Sequence, residues 1–351
     1  MKKKWLCIGI ALLLAVCGIL FALSHRQKEV SEPEEEKKLQ IGMSFDSFVI
    51  ERWQRDRDVF VSTAKELGAE VNVQNANGDI EQQKKHIDYF IEKGVDAIVI
   101  ICIDSYGLHD QVRKAQDAGI KVIAYDRQIA SGNVDLYISF DNSRVGEMMG
   151  QALADNGIRG KNVVMLGGST TDSNVPLVEN AFREVMKEKN NTILDVYHAR
   201  NWEAELAAQY VYDHWDTVSQ ADAIMCGNDN LASQVVRALA EKRLAGNVLV
   251  VGQDADLEAC QRIVEGTQLM TVYKPVEKLA QRAAQCTVEL ICEDRVTGED
   301  VEEISDGKYM VPYVAIAPVS VTQENMDEVI IDGGFHLKED VYLNVPEKMK
   351  E

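Results

Sequence analysis

Polar residues recur directly after short apolar runs in this chain. Asp126-Arg127 follows Tyr125, Asp141-Asn142 follows Phe140, Asn228-Asp229 follows Cys226-Gly227, Gln253-Asp254 follows Val251-Gly252, and Lys274 follows Tyr273. Carboxylate, carboxamide and guanidinium groups are planar and can accept from or donate to neighbouring hydroxyls in pairs. Trp53 and Trp202 could cover the weakly polar C–H face of a sugar ring. Each member also has an ordinary reading. A strand-end Asp is often a helix cap or turn residue, a Trp often packs in a core, and Asn174 after Asp172 could simply start a helix. The recurrence of the pattern, more than any one residue, points to two walls of one polar cleft.

The chemistry of such a cleft reads as binding without turnover. Gly167-Gly168-Ser169 is too short for a phosphate loop, and neither G-x-G-x-x-G nor G-x-S-x-G occurs. The six histidines are scattered along the chain, and none neighbours a strand-end carboxylate in sequence. No C-x-x-C and no His at ligand spacing suggests zinc. Cys102 and Cys226, in apolar runs, read as buried inert thiols. The expectation is therefore no catalytic group, no metal and no cofactor.

The elements that would position these residues alternate. Strands are expected over 39–45, 70–74, 97–103, 121–125 and 136–140, with helices over 52–67, 80–93 and 106–118 between them. The scheme repeats with strands at 162–166, 192–198, 223–226, 248–251 and 270–273. Its helices fall at 177–188, 203–214, 231–241 and 256–265. Apolar strands alternating with amphipathic helices predict α/β architecture, with parallel sheets covered on both faces, here as two doubly wound lobes. In such sheets ligands gather beyond the carboxyl ends of the strands. A length of 351 residues suits two domains.

Charge divides the chain further. The formal net charge is −20, yet residues 1–38 carry seven basic and five acidic residues. The rest holds 30 basic against 52 acidic residues, a surface that repels phosphate backbones and disfavours nucleic acid. Lys2-Lys3-Lys4 precede an uncharged apolar run from Trp5 to Leu23. As a helix this run would span about 28 Å, near the thickness of a bilayer core. Residues 1–23 are therefore expected to anchor the chain with its folded part outside the cytoplasm. A lipoprotein signal with Cys17 as the lipidated residue is the alternative, and cleaved secretion a third. Residues 24–38, with Pro33 and Glu34-Glu35-Glu36, read as a solvated linker.

Longer words carry a resemblance. Glu51-Arg52-Trp53-Gln54 with Asp56-Arg57-Asp58, Gln74 to Gly78 (QNANG), Ala124 to Arg127 (AYDR) and Tyr137 to Asn142 (YISFDN) resemble the extracytoplasmic D-xylose-binding proteins of sugar transport systems. Gly167-Gly168-Ser169, Gly252 to Leu257 (GQDADL), Gly266-Thr267-Gln268 and Met270 to Pro275 (MTVYKP) extend it over about 39–345. The resemblance implies a ribose-type, periplasmic-binding-protein-like I fold, its two lobes joined by a three-segment hinge and closing on one monosaccharide. It implies a first lobe of 39–142 with 275–312 and a second of 143–274 with 313–345. It also implies roles. Arg52 and Trp53 would cap the sugar, and Asp126 and Arg127 would hold adjacent hydroxyls. Asn174, Trp202, Asn228, Asp254 and Lys274 would form the second wall. Asp141 would be either a ligand contact or a hinge support.

Two departures stand beside it. Residues 169–176 and the surroundings of Trp202 differ from the family form, and a permanent anchor is unusual for a transport receptor. Delivery to a sugar ABC transporter is the role implied first. The alternative is an anchored sensor signalling through a two-component histidine kinase. A sugar-responsive repressor core is a lesser reading, because no helix-turn-helix precedes the lobes. A sugar-processing enzyme using Asp126 or Asp254 lacks a recognisable catalytic constellation.

Overall fold

The computed structural model describes residues 38–349. The expected anchor at 1–23, the lipidated Cys17 and all but the last residue of the 24–38 linker lie outside the described residues. Among the described residues, no helix is long and apolar enough to cross a membrane.

The first half forms β1 (Leu39–Phe45), α1 (Arg52–Glu66), β2 (Ala69–Asn75), α2 (Ile80–Lys93), β3 (Ala97–Ile100), α3 (His109–Asp117), β4 (Lys121–Tyr125) and β5 (Leu136–Phe140). All four residues of β3 and all five of β5 are buried, as strands covered on both faces require. The Asp79 side chain accepts the Glu81 and Gln82 amides and caps α2, satisfying donors that a helix start leaves open. The third helix is shorter than expected: Tyr106 and Gly107 make a turn before it, with the Gly107 amide bonded to the Asp104 carbonyl.

The second half forms α4 (Asn142–Asp155), β6 (Asn162–Gly167), α5 (Asn174–Glu188), β7 (Thr192–His198), α6 (Glu205–Asp213), α7 (Trp215–Val218), β8 (Ala223–Cys226), α8 (Asp229–Glu241), β9 (Leu249–Val251), α9 (Leu257–Glu265) and β10 (Thr271–Tyr273). Helices α4 and α5 pack against each other. A Cβ on Gly146 would overlap the Val178 carbonyl oxygen, so glycine permits that approach.

Beyond α10 (Val276–Glu293) come β11 (Val301–Ser305), β12 (Met310–Ile316), β13 (Val319–Val321) and a short α11 (Lys338–Val341). Two main sheets result. One has the order β11-β12-β5-β4-β3-β1-β2, parallel except for the β11–β12 pair. The other, β7-β6-β8-β9, is wholly parallel, and a β10–β13 antiparallel pair joins its edge through the Val251–Met270 bridge. The chain thus passes between sheets after β5, after β10 and after β12. Pairing of Ile316 with Phe140 keeps the chain in the first sheet four residues past the expected boundary at 312. Helix α10 returns to pack on α1.

Candidate ligand-binding site

Loops at the carboxyl ends of both sheets face one cavity. It is lined by Arg52, Trp53, Asp126, Arg127, Asn174, Trp202, Asn228, Asp254 and Lys274, the nine residues singled out from sequence. None is more than 8% exposed. Asp141 is not among the lining residues. It is exposed, its side chain caps α4 through the Arg144 amide, and its own N–H reaches the Ile316 carbonyl at 3.1 Å. That is a hinge position.

On the first wall, Arg52 lies against Asp126, with its guanidinium 4.2 Å from the Trp53 ring centre and 5.2 Å from that of Phe140. Asp126 adopts φ +63°, a conformation costly for a non-glycine residue. Its carbonyl is held by Ser139 Oγ at 2.6 Å and Asn174 Nδ2 at 3.1 Å, and its Oδ1 accepts from Asn174 Nδ2 at 2.9 Å. Burial pushes the Asp126 carboxyl up, but Arg52, Lys274 and Arg127 together hold it below its usual range. Arg127 donates to Asp46 Oδ2 at 2.7 Å and to the Cys102 carbonyl at 3.0 Å. Its Nε lies 2.6 Å from Asp172 Oδ2.

On the second wall, Asp172 also accepts from Trp202 Nε1 at 3.2 Å, fixing the indole over Gly168. A Cβ on Gly168 would overlap that ring. Gly168→Ala should therefore displace Trp202 and weaken ligand binding at least about tenfold, with little loss of melting temperature; tryptophan fluorescence and calorimetry check both. Asn228 serves two purposes: Oδ1 caps α8 at the Leu231 amide at 2.9 Å, while Nδ2 has no protein partner. Lys274 Nζ lies 3.3 Å from Asp254 Oδ1 and 5.8 Å from the Phe140 ring centre. Asn174 both opens α5 and lines the cavity, so the two readings of it coexist.

Buried polar atoms normally find partners. Among the described residues the exceptions include Arg52 Nη1, Trp53 Nε1, Asn228 Nδ2 and Gln253 Oε1, all on cavity-lining residues. Donors and acceptors are mixed, a pattern that matches hydroxyls, which do both. Sequence reasoning missed Asp46, Asp172 and Phe140 as parts of the site, and it placed Gln253 at a strand end without giving it a role. Asp46 directly follows β1, so the strand-end rule applied evenly would have found it. Asp172 lies five residues past β6, and no spacing marks it. Among the described residues, no group of His, Cys, Asp and Glu side chains could hold a metal ion. Their five cysteines are free, Cys292 alone being exposed.

Asp56 lies one helical turn after Arg52, with 3.8 Å between Arg52 Nε and Asp56 Oδ2, and accepts from the Tyr125 hydroxyl. Burial pushes its carboxyl up to about 7 despite the pull of Arg52 and Tyr125. Because the folded state then binds the proton more tightly than the unfolded state, stability falls as pH rises between roughly 4 and 7. Asp56→Asn removes that contribution, and urea unfolding at several pH values should show a shallower fall. An unchanged slope would count against it.

Comparison with known proteins follows the same lines. The profile of the periplasmic binding protein domain matches residues 41–294. The D-xylose-binding periplasmic protein of Haemophilus influenzae is 39% identical over 312 residues, spanning 87% of this chain and 93% of that protein. Its Escherichia coli counterpart is 39% identical over 306 residues, spanning 86% and 92%. Among solved structures, a carbohydrate transporter solute-binding protein from Chloroflexus aurantiacus in complex with D-glucose superposes with a TM-score of 0.78. It is 25% identical and covers 87% of this chain and 98% of that one.

Proposed function

The chain belongs to the periplasmic binding protein family, and we propose that it is an extracytoplasmic receptor for one neutral monosaccharide, a pentose and first of all D-xylose. The observation that carries this reading is the cavity's inventory. Each lining cation faces a carboxylate: Arg52 faces Asp126, Arg127 faces Asp46 and Asp172, and Lys274 faces Asp254. Among the described residues, no cation lining the cavity is left over for a phosphate or sugar acid, while unpartnered donors and acceptors suit hydroxyls. The 39% identity to proteins named as D-xylose-binding supports the choice of sugar.

In this reading Arg52, Trp53, Asp126 and Arg127 hold the sugar from the first lobe, 39–142 with 275–312. Asn174, Trp202, Asn228, Asp254 and Lys274 hold it from the second, 143–274 with 313–345. The pairing of β12 to Ile316 carries the third crossing to 317–318. A ligand that touches both lobes favours the closed form by its differential affinity for that form, and the closed form presents the sugar to an ABC transporter. The tether to the membrane, and with it the alternative of a sensor signalling through a histidine kinase, rests on residues 1–37. Nothing in the described site favours the sensor or the repressor core, and the named relatives are binding proteins.

Calorimetry of the purified protein with D-xylose, D-ribose, L-arabinose, D-galactose and D-glucose, and with xylonate as a charged control, tests the reading. The expected result is one site that prefers a pentose, most strongly D-xylose, and excludes xylonate. Absence of binding for all five sugars would defeat it.

A further inference from the structure

The second wall owes its shape to a group that does not line the cavity. Asp254 has φ +101° and Ala255 φ +56°, left-handed conformations that non-glycine residues hold only where their surroundings enforce them. Asp229, the first residue of α8, is fully buried. Its carboxylate accepts from Thr271 Oγ1 at 2.6 Å, from Gln268 Nε2 at 2.8 Å and from the Asp256 amide at 3.3 Å. The Thr271 hydroxyl accepts in turn from the Ala255 amide at 3.2 Å. The Asp229 N–H donates to the Gln253 carbonyl at 2.9 Å. The backbone on both sides of Asp254 is thus tied to one residue. Arg262 braces it from behind, donating to Gln268 Oε1 at 3.0 Å and to the Asp229 carbonyl at 3.3 Å.

We propose that Asp229 is the positioning residue of the Gln253–Asp254 wall, aiming the Asp254 carboxylate at the ligand through the Thr271 hydroxyl and the amides of Ala255 and Asp256. The inference rests on reading the cavity as a monosaccharide site. Every group on the Asp229 carboxylate is a donor. Asp229→Asn therefore sets an NH2 group against at least one of them. Thr271→Val keeps the side-chain shape but removes the relay to Ala255, whereas Thr271→Ser keeps the hydroxyl.

The test is calorimetry with D-xylose on the full chain and its variants, with amide hydrogen exchange at Ala255 and Asp256 recorded without sugar. Asp229→Asn and Thr271→Val should each lower affinity at least about tenfold and speed exchange at their amides, and Thr271→Ser should restore both. In an Asp254→Ala background, Asp229→Asn should change affinity less than about twofold, because residues that act through one group are not additive. Unchanged affinity and exchange in both Asp229→Asn and Thr271→Val would overturn the proposal. So would a loss that multiplies in full on top of Asp254→Ala. If the native protein bound none of the sugars, the functional reading would fail, and the exchange rates would still decide the positioning claim.

Discussion

Asp126→Ala will weaken monosaccharide binding by at least about 3 kcal/mol, the cost of leaving a buried partner charge uncompensated. Arg52 lies against Asp126. Its remaining carboxylate neighbour, Asp56, is 3.8 Å from Nε, too far for a hydrogen bond. Asn174 Nδ2 also loses its Oδ1 acceptor and keeps only the Asp126 carbonyl as its link from the start of α5 to the end of β4. Asp126→Asn keeps the shape without the charge and should fall between native and alanine. The sign of any pH effect follows from the direction of the shift. Neighbouring cations hold the Asp126 carboxyl below its usual value, so its stabilisation is present above the ordinary carboxylate range and is lost as pH falls through its lowered folded value. Native affinity should therefore show no pH dependence arising from Asp126 between about pH 5 and 8. Calorimetry and urea unfolding check both statements, and an alanine variant within about threefold of native affinity would remove Asp126 from the site.

Much of this arrangement was legible because two periodicities coincide. Runs such as Ala97–Ile100 and Ala223–Cys226 are apolar throughout, which marks buried parallel strands. The first polar residues after such runs fall at the carboxyl edge, where loops of both lobes converge. That logic reaches Asp126, Arg127, Asn228, Asp254 and Lys274, while Trp53 and Trp202 stand out as rings able to cover a sugar face, and the roles of Arg52 and Asn174 follow only from the resemblance. It does not reach Asp172, whose place depends on the path of a loop from Gly168 to Ser173, nor Phe140, whose ring lies beneath two cations although its sequence position reads as ordinary core.

Helix limits failed for local reasons. Asn174-Val175-Pro176 reads as loop, yet proline is tolerated in the first turn of a helix, where its missing N–H costs nothing, so α5 begins at Asn174. Helix α4 was missed because Gly146 and Gly150 dilute its apolar stripe, and they are the residues that let α5 pack closely. The antiparallel β11–β12 pair at the sheet edge falls outside the repeating strand–helix scheme altogether.

Arg127→Met should produce the second large loss and should also introduce a pH dependence of affinity. Arg127 joins Asp46, after β1, to Asp172, in the loop after β6, so one guanidinium neutralises a carboxylate from each wall. Even with Arg127 present, burial leaves the Asp46 carboxyl above its usual value. Without the cation, Asp46 and Asp172 are buried with no partner charge and repel each other, which pushes the Asp46 carboxyl further up. The expected affinity loss at pH 7.5 is at least about a hundredfold, consistent with breaking a buried pair. Because protonation relieves the repulsion, affinity in Arg127→Met should recover partly as pH is lowered from about 7.5 to 5.5, where the native protein shows no comparable gain. Arg127→Met combined with Asp172→Asn should recover part of the loss without acid. Arg127→Lys should fare little better than methionine at neutral pH, since an ammonium on a flexible stem cannot reproduce a fork that spans two carboxylates. Calorimetry across that pH range decides the matter: near-native affinity in Arg127→Met, or a loss that acid and Asp172→Asn both leave untouched, would show that the Asp46–Arg127–Asp172 bridge does not hold the two walls together.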